Sequence, residues 1–266
     1  MTQPSKAGML GKMRARIWPG AAWLGLLLLL PSGACSSGTE TGNPSLSLSG
    51  ALSYTGYSSK PDEFGVREGG TVATVDNAWL DLDAVQVSPD GSCGIAGGEA
   101  FSVPGLGVGD HAAGQHNSTE FVAKPGSFCS VGLPFVRVAD GVAGGALPTE
   151  LGGQSLLLVG KLADGTPFTI KSAATPVLEL RAEGSGFTLS SGQSDVLLAF
   201  DFAAWLEDVD FSSAELSEGQ IVISADSNPE LLAPFEAKLA AGVALYRDRD
   251  GDGLIDPDAE LLAHAP

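Results

Sequence analysis

Basic residues are scarce in this chain. It has 14 lysines and arginines against 32 aspartates and glutamates, and four of the basic ones (Lys6, Lys12, Arg14 and Arg16) lie near the start. Beyond residue 34, ten basic residues face all 32 acidic ones, a formal charge of −22. Such a surface repels nucleic acid and anionic membranes, keeps a protein soluble and tolerates cations. Long apolar runs are missing as well. Ala21–Leu30 is the best of them, and about 10 residues cannot span a bilayer that needs roughly 20. There is no Gly-x-Ser-x-Gly elbow and no phosphate-cradling Gly-Lys-Ser/Thr loop, so neither an α/β-hydrolase nucleophile nor a nucleotide site is indicated. Histidine and cysteine number three each.

What is present begins with an address. The basic start, the apolar Ala21–Leu30 and the small residues Pro31-Ser32-Gly33-Ala34 lead to Cys35, the layout of an export signal. Gly33-Ala34-Cys35 resembles the lipobox of bacterial lipoproteins, which implies acylation of Cys35 and removal of residues 1–34. That family usually places Leu, Val or Ile where this chain has Ser32. Ser32 and Ala34 also satisfy the small-x-small rule of ordinary signal cleavage, so simple secretion is the alternative. Residues 35–45 are polar and small, and read as a tether that has too little to bury to offset its ordering entropy. Ser36 rather than Asp follows the cysteine. By resemblance to lipoproteins of Gram-negative bacteria, this permits sorting to the outer membrane.

Without its leader the chain has 232 residues, enough for one large β domain or two smaller ones. Glycine is abundant and short apolar runs recur between turn signals, which predicts a mainly β fold. The expected architecture is a single antiparallel β-sandwich or open barrel over residues 46–247, with one or two short helices near its C-terminal end. Leu46, Leu48, Leu52 and Tyr54 alternate, as do apolar positions over residues 72–87, with a bend or bulge expected within Asn77–Ala84. Residues 88–120 read as a long loop with one short strand at most. The clearest hairpin joins 155–162 to 166–172 through Asp164-Gly165, because glycine supplies the positive φ of tight turns. Asp201 is a candidate cap for a short helix. Asn228-Pro229-Glu230 opens a better one, with Leu231, Leu232, Phe235, Leu239 and Val243 on one face.

Cys93 and Cys129 remain as a pair once Cys35 is lipidated. Outside the cytoplasm they are expected to form a disulfide closing a loop of roughly 37 residues, worth about 3–4 kcal/mol in the chain-entropy model. A metal-binding or catalytic thiol role lacks a histidine at ligand spacing.

The candidate metal site is the acidic stretch 248–260, with residues 261–266 as a tail. Carboxylates at alternate positions converge on one cation once the chain curls, and an all-oxygen shell suits calcium. Asp248, Asp250 and Asp252 match loop positions one, three and five of an EF-hand, the Leu254 carbonyl matches seven, and Asp256 nine. The match then fails, since Ala259 occupies position twelve. Asp258 or Glu260 is left to complete the shell. The stretch resembles the looser Asp-x-Asp-Gly-Asp-Gly calcium loops of secreted bacterial proteins, including dockerin-like and thrombospondin type 3 repeats. A solvated acidic turn after a helix is the bland alternative. If calcium binds, its role is structural and its affinity weak, roughly 10⁻⁴–10⁻³ M.

Two other constellations carry chemistry. Asp110, His111 and His116 form Asp-His-x-x-x-x-His in the glycine-rich region, a candidate zinc or copper site, with exposed loop histidines as the alternative. Asp81 and Asp83 share one strand face, like a glycosidase carboxylate pair, although exposed paired acids are common in so acidic a chain. Tyr54 and Tyr57 are candidates for stacking on a sugar, with core packing as the alternative.

The tether Cys35-Ser36-Ser37-Gly38-Thr39-Glu40-Thr41-Gly42-Asn43-Pro44, the strand Ala78-Trp79-Leu80-Asp81-Leu82, the element Pro125-Gly126-Ser127-Phe128-Cys129 and the terminal acidic loop resemble surface lipoproteins of myxobacteria and their relatives. That resemblance implies an exported β domain and no particular activity. The sequence therefore predicts a non-catalytic, lipid-anchored envelope protein, a protein- or glycan-binding or structural module stabilised by calcium. The alternatives are a zinc- or copper-handling lipoprotein and an envelope hydrolase.

Overall fold

The alternating apolar rows become strands wherever a neighbouring ladder can pair them. A computed structural model describes residues 47–59, 73–89, 93, 98–112, 117–141, 147–192, 194–256 and 258–266. The expected leader and tether, with Cys35, and His116 lie outside the described residues. The described chain is mainly β, with strands β1 (Leu48–Tyr57), β2 (Ala73–Leu82), β3 (Val85–Ser88), β4 (Phe101–Val103), β5 (Gly107–Asp110), β6 (Asn117–Ala123), β7 (Gly126–Phe128), β8 (Ser130–Pro134) and β9 (Leu156–Leu162). There follow β10 (Pro167–Ser172), β11 (Val177–Arg181), β12 (Phe187–Leu189), β13 (Val196–Asp201), β14 (Leu216–Ser217), β15 (Gln220–Ile223), β16 (Val243–Arg247) and β17 (Leu261–His264), with helices α1 (Phe202–Leu206) and α2 (Pro229–Lys238).

A nine-stranded sheet in the order β4-β3-β8-β11-β17-β16-β13-β1-β6 curls until its edges approach, bringing the Phe101 and Phe121 rings to 5.4 Å. A six-stranded sheet, β14-β15-β10-β9-β2-β5, and the β12-β7 pair complete the architecture. Pairing is mostly antiparallel. Two neighbours, β1 with β13 and β10 with β15, run parallel, which departs from the all-antiparallel expectation. Both are non-consecutive strands, so the intervening chain has room for the crossover a parallel pair requires.

One core receives residues from both larger sheets, among them Leu52, Leu80, Phe168 and Leu198, and Phe235 from α2. β9 opens Leu-Leu-Leu, and these three leucines are all buried. Leu156 and Leu158 enter that core, while Leu157 packs on the other face with Val138 and Leu151. The bend expected within Asn77–Ala84 falls at its end, where β2 stops at Leu82 and β3 starts at Val85 in the other sheet; a register shift in the β2–β9 ladder, between Val75 and Asn77, lies just ahead of that stretch. Residues 88–120 hold more order than expected, since β4, β5 and the start of β6 fall there. Glycines hid β5 from a propensity reading, but pairing with β2 supplies what propensity lacks.

Asp201 caps α1 by accepting the Ala203 N–H at 3.0 Å. Asn228 precedes α2 but does not cap it through its side chain. Its amide instead ties the β14–β15 hairpin, accepting from Glu215 N–H and donating to the Glu215 and Val222 carbonyls. The apolar stripe expected to run through Val243 is cut short. α2 ends at Lys238 and Val243 begins β16. The Trp205 indole donates to the Leu239 carbonyl at 2.9 Å, and a Cβ at Gly242 would lie 2.3 Å from that ring. Packing of α1 thus fixes where α2 must stop. The acidic stretch consequently joins two strands and does not follow a helix. The expected tail is β17, hydrogen-bonded between β16 and β11. Among the described residues, no helix is long and apolar enough to cross a membrane.

Candidate metal centre

The acidic loop is held at its neck. The Arg247 N–H donates to the Glu260 carbonyl at 2.9 Å. The Arg247 guanidinium, almost wholly buried, reaches the Glu260 carboxylate at 3.0 Å and the Thr188 carbonyl at 3.0 Å. Arg247 occupies the inward parity of β16 after Val243 and Leu245, which is why an arginine is buried here. The Asp248 N–H donates to the Asp195 carbonyl at 3.1 Å, anchoring the loop to the chain just before β13.

From this neck the chain coils over Asp248. Gly251 and Gly253 adopt φ of +74° and +71°, the left-handed region that other side chains resist. Their N–H groups turn onto the Asp248 carboxylate, at 2.8 Å from Gly251 and 3.1 Å from Gly253. Asp252 likewise accepts the Leu254 N–H at 2.8 Å. Carboxylate oxygens of Asp248, Asp250 and Asp252 all lie within 4.8 Å of one another. Asp248 is 6% exposed, and Asp250 and Asp252 are open to solvent.

The electrostatics match the crowding. Burial pushes the Asp248 carboxyl above its ordinary range; the glycine N–H groups pull back, while Asp250 and Asp252 add to the rise. Asp256 is also pushed up, chiefly by the charge of Asp250, then by desolvation, Asp252 and Asp258, against Arg249. Three oxygen donors at this separation, each carboxylate retaining lone pairs, suit a hard divalent cation.

The other expected ligands distribute unevenly. Glu260 is turned to arginine, pairing with Arg247 and, at 3.6 Å, with Arg249. Asp258 is exposed, and the Leu254 side chain is also solvent-facing. The structure therefore assembles Asp248, Asp250 and Asp252, leaves Asp256 within their field, and commits Glu260 to the neck. Arg247 and the Asp195 carbonyl are the parts that sequence reasoning missed. The buried parity of Arg247 was the available signal.

The second constellation differs from its expectation. His111 is not on an exposed loop; it is fully buried. Its N–H donates to the Ala78 carbonyl at 2.7 Å, and its ring lies 5.7 Å from Tyr54 and 5.5 Å from Phe200, centroid to centroid. Neither ring nitrogen, nor the buried Tyr54 hydroxyl, has a hydrogen-bond partner among the described residues. Burial holds the imidazole pKa down to about 4, against an opposing pull from Asp110. Asp110 itself is committed to structure. Its carboxylate accepts from Ala78 N–H, Ala112 N–H and the Asn77 amide, at 2.9, 3.0 and 2.7 Å.

Tyr54 is fully buried and cannot stack on a sugar; Tyr57 is half-buried. Asp81 is half-buried and Asp83 exposed. The Asp81 carboxyl is pushed up by burial first and by Asp83 second. Cys93 and Cys129 are joined as a disulfide, with Cα atoms 5.6 Å apart.

No protein-family model matches the sequence, and no curated protein matches it. Among solved structures, MbnP from Methylosinus trichosporium aligns with a TM-score of 0.46 and 9% identity, covering 83% of this chain and 100% of that chain.

Proposed function

We propose that this chain is an exported, lipid-anchored, non-catalytic protein of the bacterial cell envelope, of the kind its sequence resembles among myxobacterial surface lipoproteins. Its β domain binds an envelope partner outside the cytoplasm, and calcium in the 248–256 loop stabilises it. The observation that carries the calcium reading is the convergence of Asp248, Asp250 and Asp252 to within 4.8 Å on a loop pinned at its neck. That loop links β16 to β17 in the nine-stranded sheet, so an ion there fastens a turn between paired strands. The Cys93–Cys129 disulfide supports an oxidising compartment.

Calorimetric titration of the purified protein with calcium tests the ion. One site of roughly 10⁻⁴–10⁻³ M, lost in Asp250→Ala, is expected. Identical melting in calcium and in chelator removes the reading. Mass spectrometry of the membrane fraction tests the anchor: a diacylated N-terminal Cys35 is expected, and an intact Met1 on cytosolic protein overturns it.

A second reading, a metal-handling lipoprotein, is favoured by His111. A buried imidazole with both nitrogens unsatisfied is costly unless something fills the space beside it. Zinc or copper suits an imidazole ligand, and the Tyr54 ring, 5.7 Å from the imidazole, carries a buried hydroxyl that also lacks a partner among the described residues. Asp110, held by backbone N–H groups, positions His111 and is not offered as a ligand. Titration with copper and with zinc tests this reading. Heat at one equivalent that disappears in His111→Leu supports it, and the same heat in that variant rejects it.

A further inference from the structure

Strand order in the nine-stranded sheet gives β17 a special place. It stands between β11 and β16, so among the described strands it alone joins the β4-β3-β8-β11 half to the β16-β13-β1-β6 half. Its hold is slight for such a position. One rung, Arg181 with His264, ties it to β11. On the other side the β16–β17 register slips between Leu245 and Tyr246. The place is nonetheless shaped for this sequence. Leu262 and Ala263 enter the core, and Ala263 is fully enclosed. Just ahead of them the buried Arg247 guanidinium takes the Glu260 carboxylate at 3.0 Å, and just after them the His264 ring meets Glu183 at 3.1 Å. The place therefore takes a strand that brings a carboxylate, two apolar residues of which the second is small, and then a hydrogen-bonding ring. A second copy of β17 brings all of these.

The connection that leads to β17 is long. β16 and β17 are consecutive antiparallel strands, for which about two to five residues make the usual turn, yet residues 248–260 lie between them. This connection is coiled against its own charge, with carboxylate oxygens of Asp248, Asp250 and Asp252 within 4.8 Å of one another. Straightening it separates those charges. Drawn out, residues 249–259 reach roughly 36 Å, enough to carry β17 from one molecule to another in contact with it.

We propose that β17 exchanges between two copies of this chain, each copy filling the place between β11 and β16 of the other. The ladder hydrogen bonds, the Leu262 and Ala263 contacts and the Arg247–Glu260 pair are remade between molecules, so the cost is confined to the connection and to bringing two molecules together. Within each molecule the Asp248 N–H keeps its bond to the Asp195 carbonyl, and the Arg247 guanidinium its bond to the Thr188 carbonyl, which puts the hinge after Asp248. The exchange is reciprocal and the pair has two-fold symmetry. An ion in the loop holds the carboxylates together and opposes exchange, but the proposal does not rest on the calcium reading.

The test is made in chelator, where the connection is free of cations whichever way that reading falls. Exported protein carrying Cys35→Ser is prepared with Ala244→Cys in one sample and His264→Cys in another, positions that face each other across β16 and β17. The remaining cysteines, Cys93 and Cys129, are bonded to each other. The two samples are mixed at high concentration, incubated just below the melting temperature, cooled and oxidised. A covalent dimer bridged between residues 244 and 264 is expected, at a yield at least tenfold above that of His264→Cys mixed with Glu150→Cys, an exposed position elsewhere. Both substitutions in one chain are expected to give an intrachain bridge and no dimer, because the bridge locks β17 in its own sheet. In wild-type protein taken through the same incubation, light scattering is expected to find a dimer fraction that Asp250→Asn with Asp252→Asn lowers several-fold. Wild-type protein that stays wholly monomeric overturns the proposal. So do equal yields from the two mixtures, which reduce the cross-link to random collision. Calcium calorimetry on the same wild-type sample keeps the two readings apart, since a flat titration removes the ion and leaves the exchanged dimer standing.

Discussion

The 248–256 loop and the interior around His111 both concentrate polar groups that could hold a metal, but water reaches one and not the other. In the loop, Asp248 bears the cost of its own burial, while the carboxylates around it, most of them open to solvent, repel one another. A cation arriving from solvent relieves that repulsion. Around His111 the unfavourable energy is desolvation, and the imidazole responds by staying neutral. The two regions should therefore answer acid in opposite senses. Protonating a loop carboxylate whose pKa is raised by folding relieves the folded state. Protonating His111 places a charge where none is solvated.

The largest contrast comes from adding one small side chain to each region. A Cβ at Gly56 would lie 2.2 Å from the His111 carbonyl and 2.3 Å from the Phe202 ring. Gly56→Val is expected to destabilise by about 3 kcal/mol or more, seen as a lower urea midpoint. A Cβ at Gly251 meets nothing within 4 Å. Gly251→Ala should lose only about 1 kcal/mol, from its positive φ. Equal losses would mean that the His111 interior is not tightly packed.

Acid is the next discriminator. The His111 pKa is lowered by folding to about 4, so between that value and its ordinary one the unfolded chain binds the extra proton. Its contribution is fully present above about pH 6.5 and is lost as pH falls toward 4, about 3 kcal/mol in all. Denaturant melts across that window should show the loss in the wild type and a flatter profile in His111→Leu. A profile unchanged by the substitution would show that His111 is hydrated in solution.

The two regions also differ in how much of them the sequence disclosed. The loop was legible because its ligands are local. Alternating aspartates and two glycines fix a curl whatever surrounds them. Its setting between strands was not, because the stripe Leu231–Leu239 continues in helical phase to Val243. Only the packing of Trp205 against Gly242, from a segment about forty residues earlier, breaks the helix. The hairpin through Asp164-Gly165 and the cap at Asp201 were legible for the same local reason. The burial of His111 was hidden. It depends on β5 pairing with β2, on the close approach of Gly56, and on Tyr54 and Phe200 arriving from strands distant in sequence. None of these leaves a mark in the glycine-rich stretch itself.

Calcium gives the third contrast, smaller than the first two. At a concentration one hundred times its Kd, an ion bound only by the folded state adds about 2.7 kcal/mol. For a domain of this size that is a rise of about 5–10 °C in Tm. Asp250→Ala should abolish the rise, and His111→Leu should leave it intact. A shift lost in both variants would mean that the two regions are coupled and not separate sites.

The smallest effect is the most specific to the loop. Asp256 is held above its ordinary pKa chiefly by Asp250, so its charge opposes folding when no cation is present. The sign follows from linkage. A carboxyl whose pKa is raised by folding favours the folded state below its unfolded pKa, and that contribution is lost as pH rises through the folded value. At neutral pH Asp256→Asn should therefore raise Tm slightly in chelator, by a fraction of the calcium shift. The same change removes a negative charge beside the ion and should weaken calcium binding. Stability and affinity then move in opposite directions from one substitution. That pattern is expected where like charges are gathered for a cation, whereas a merely solvated acidic turn would show the small stabilisation with no calcium dependence.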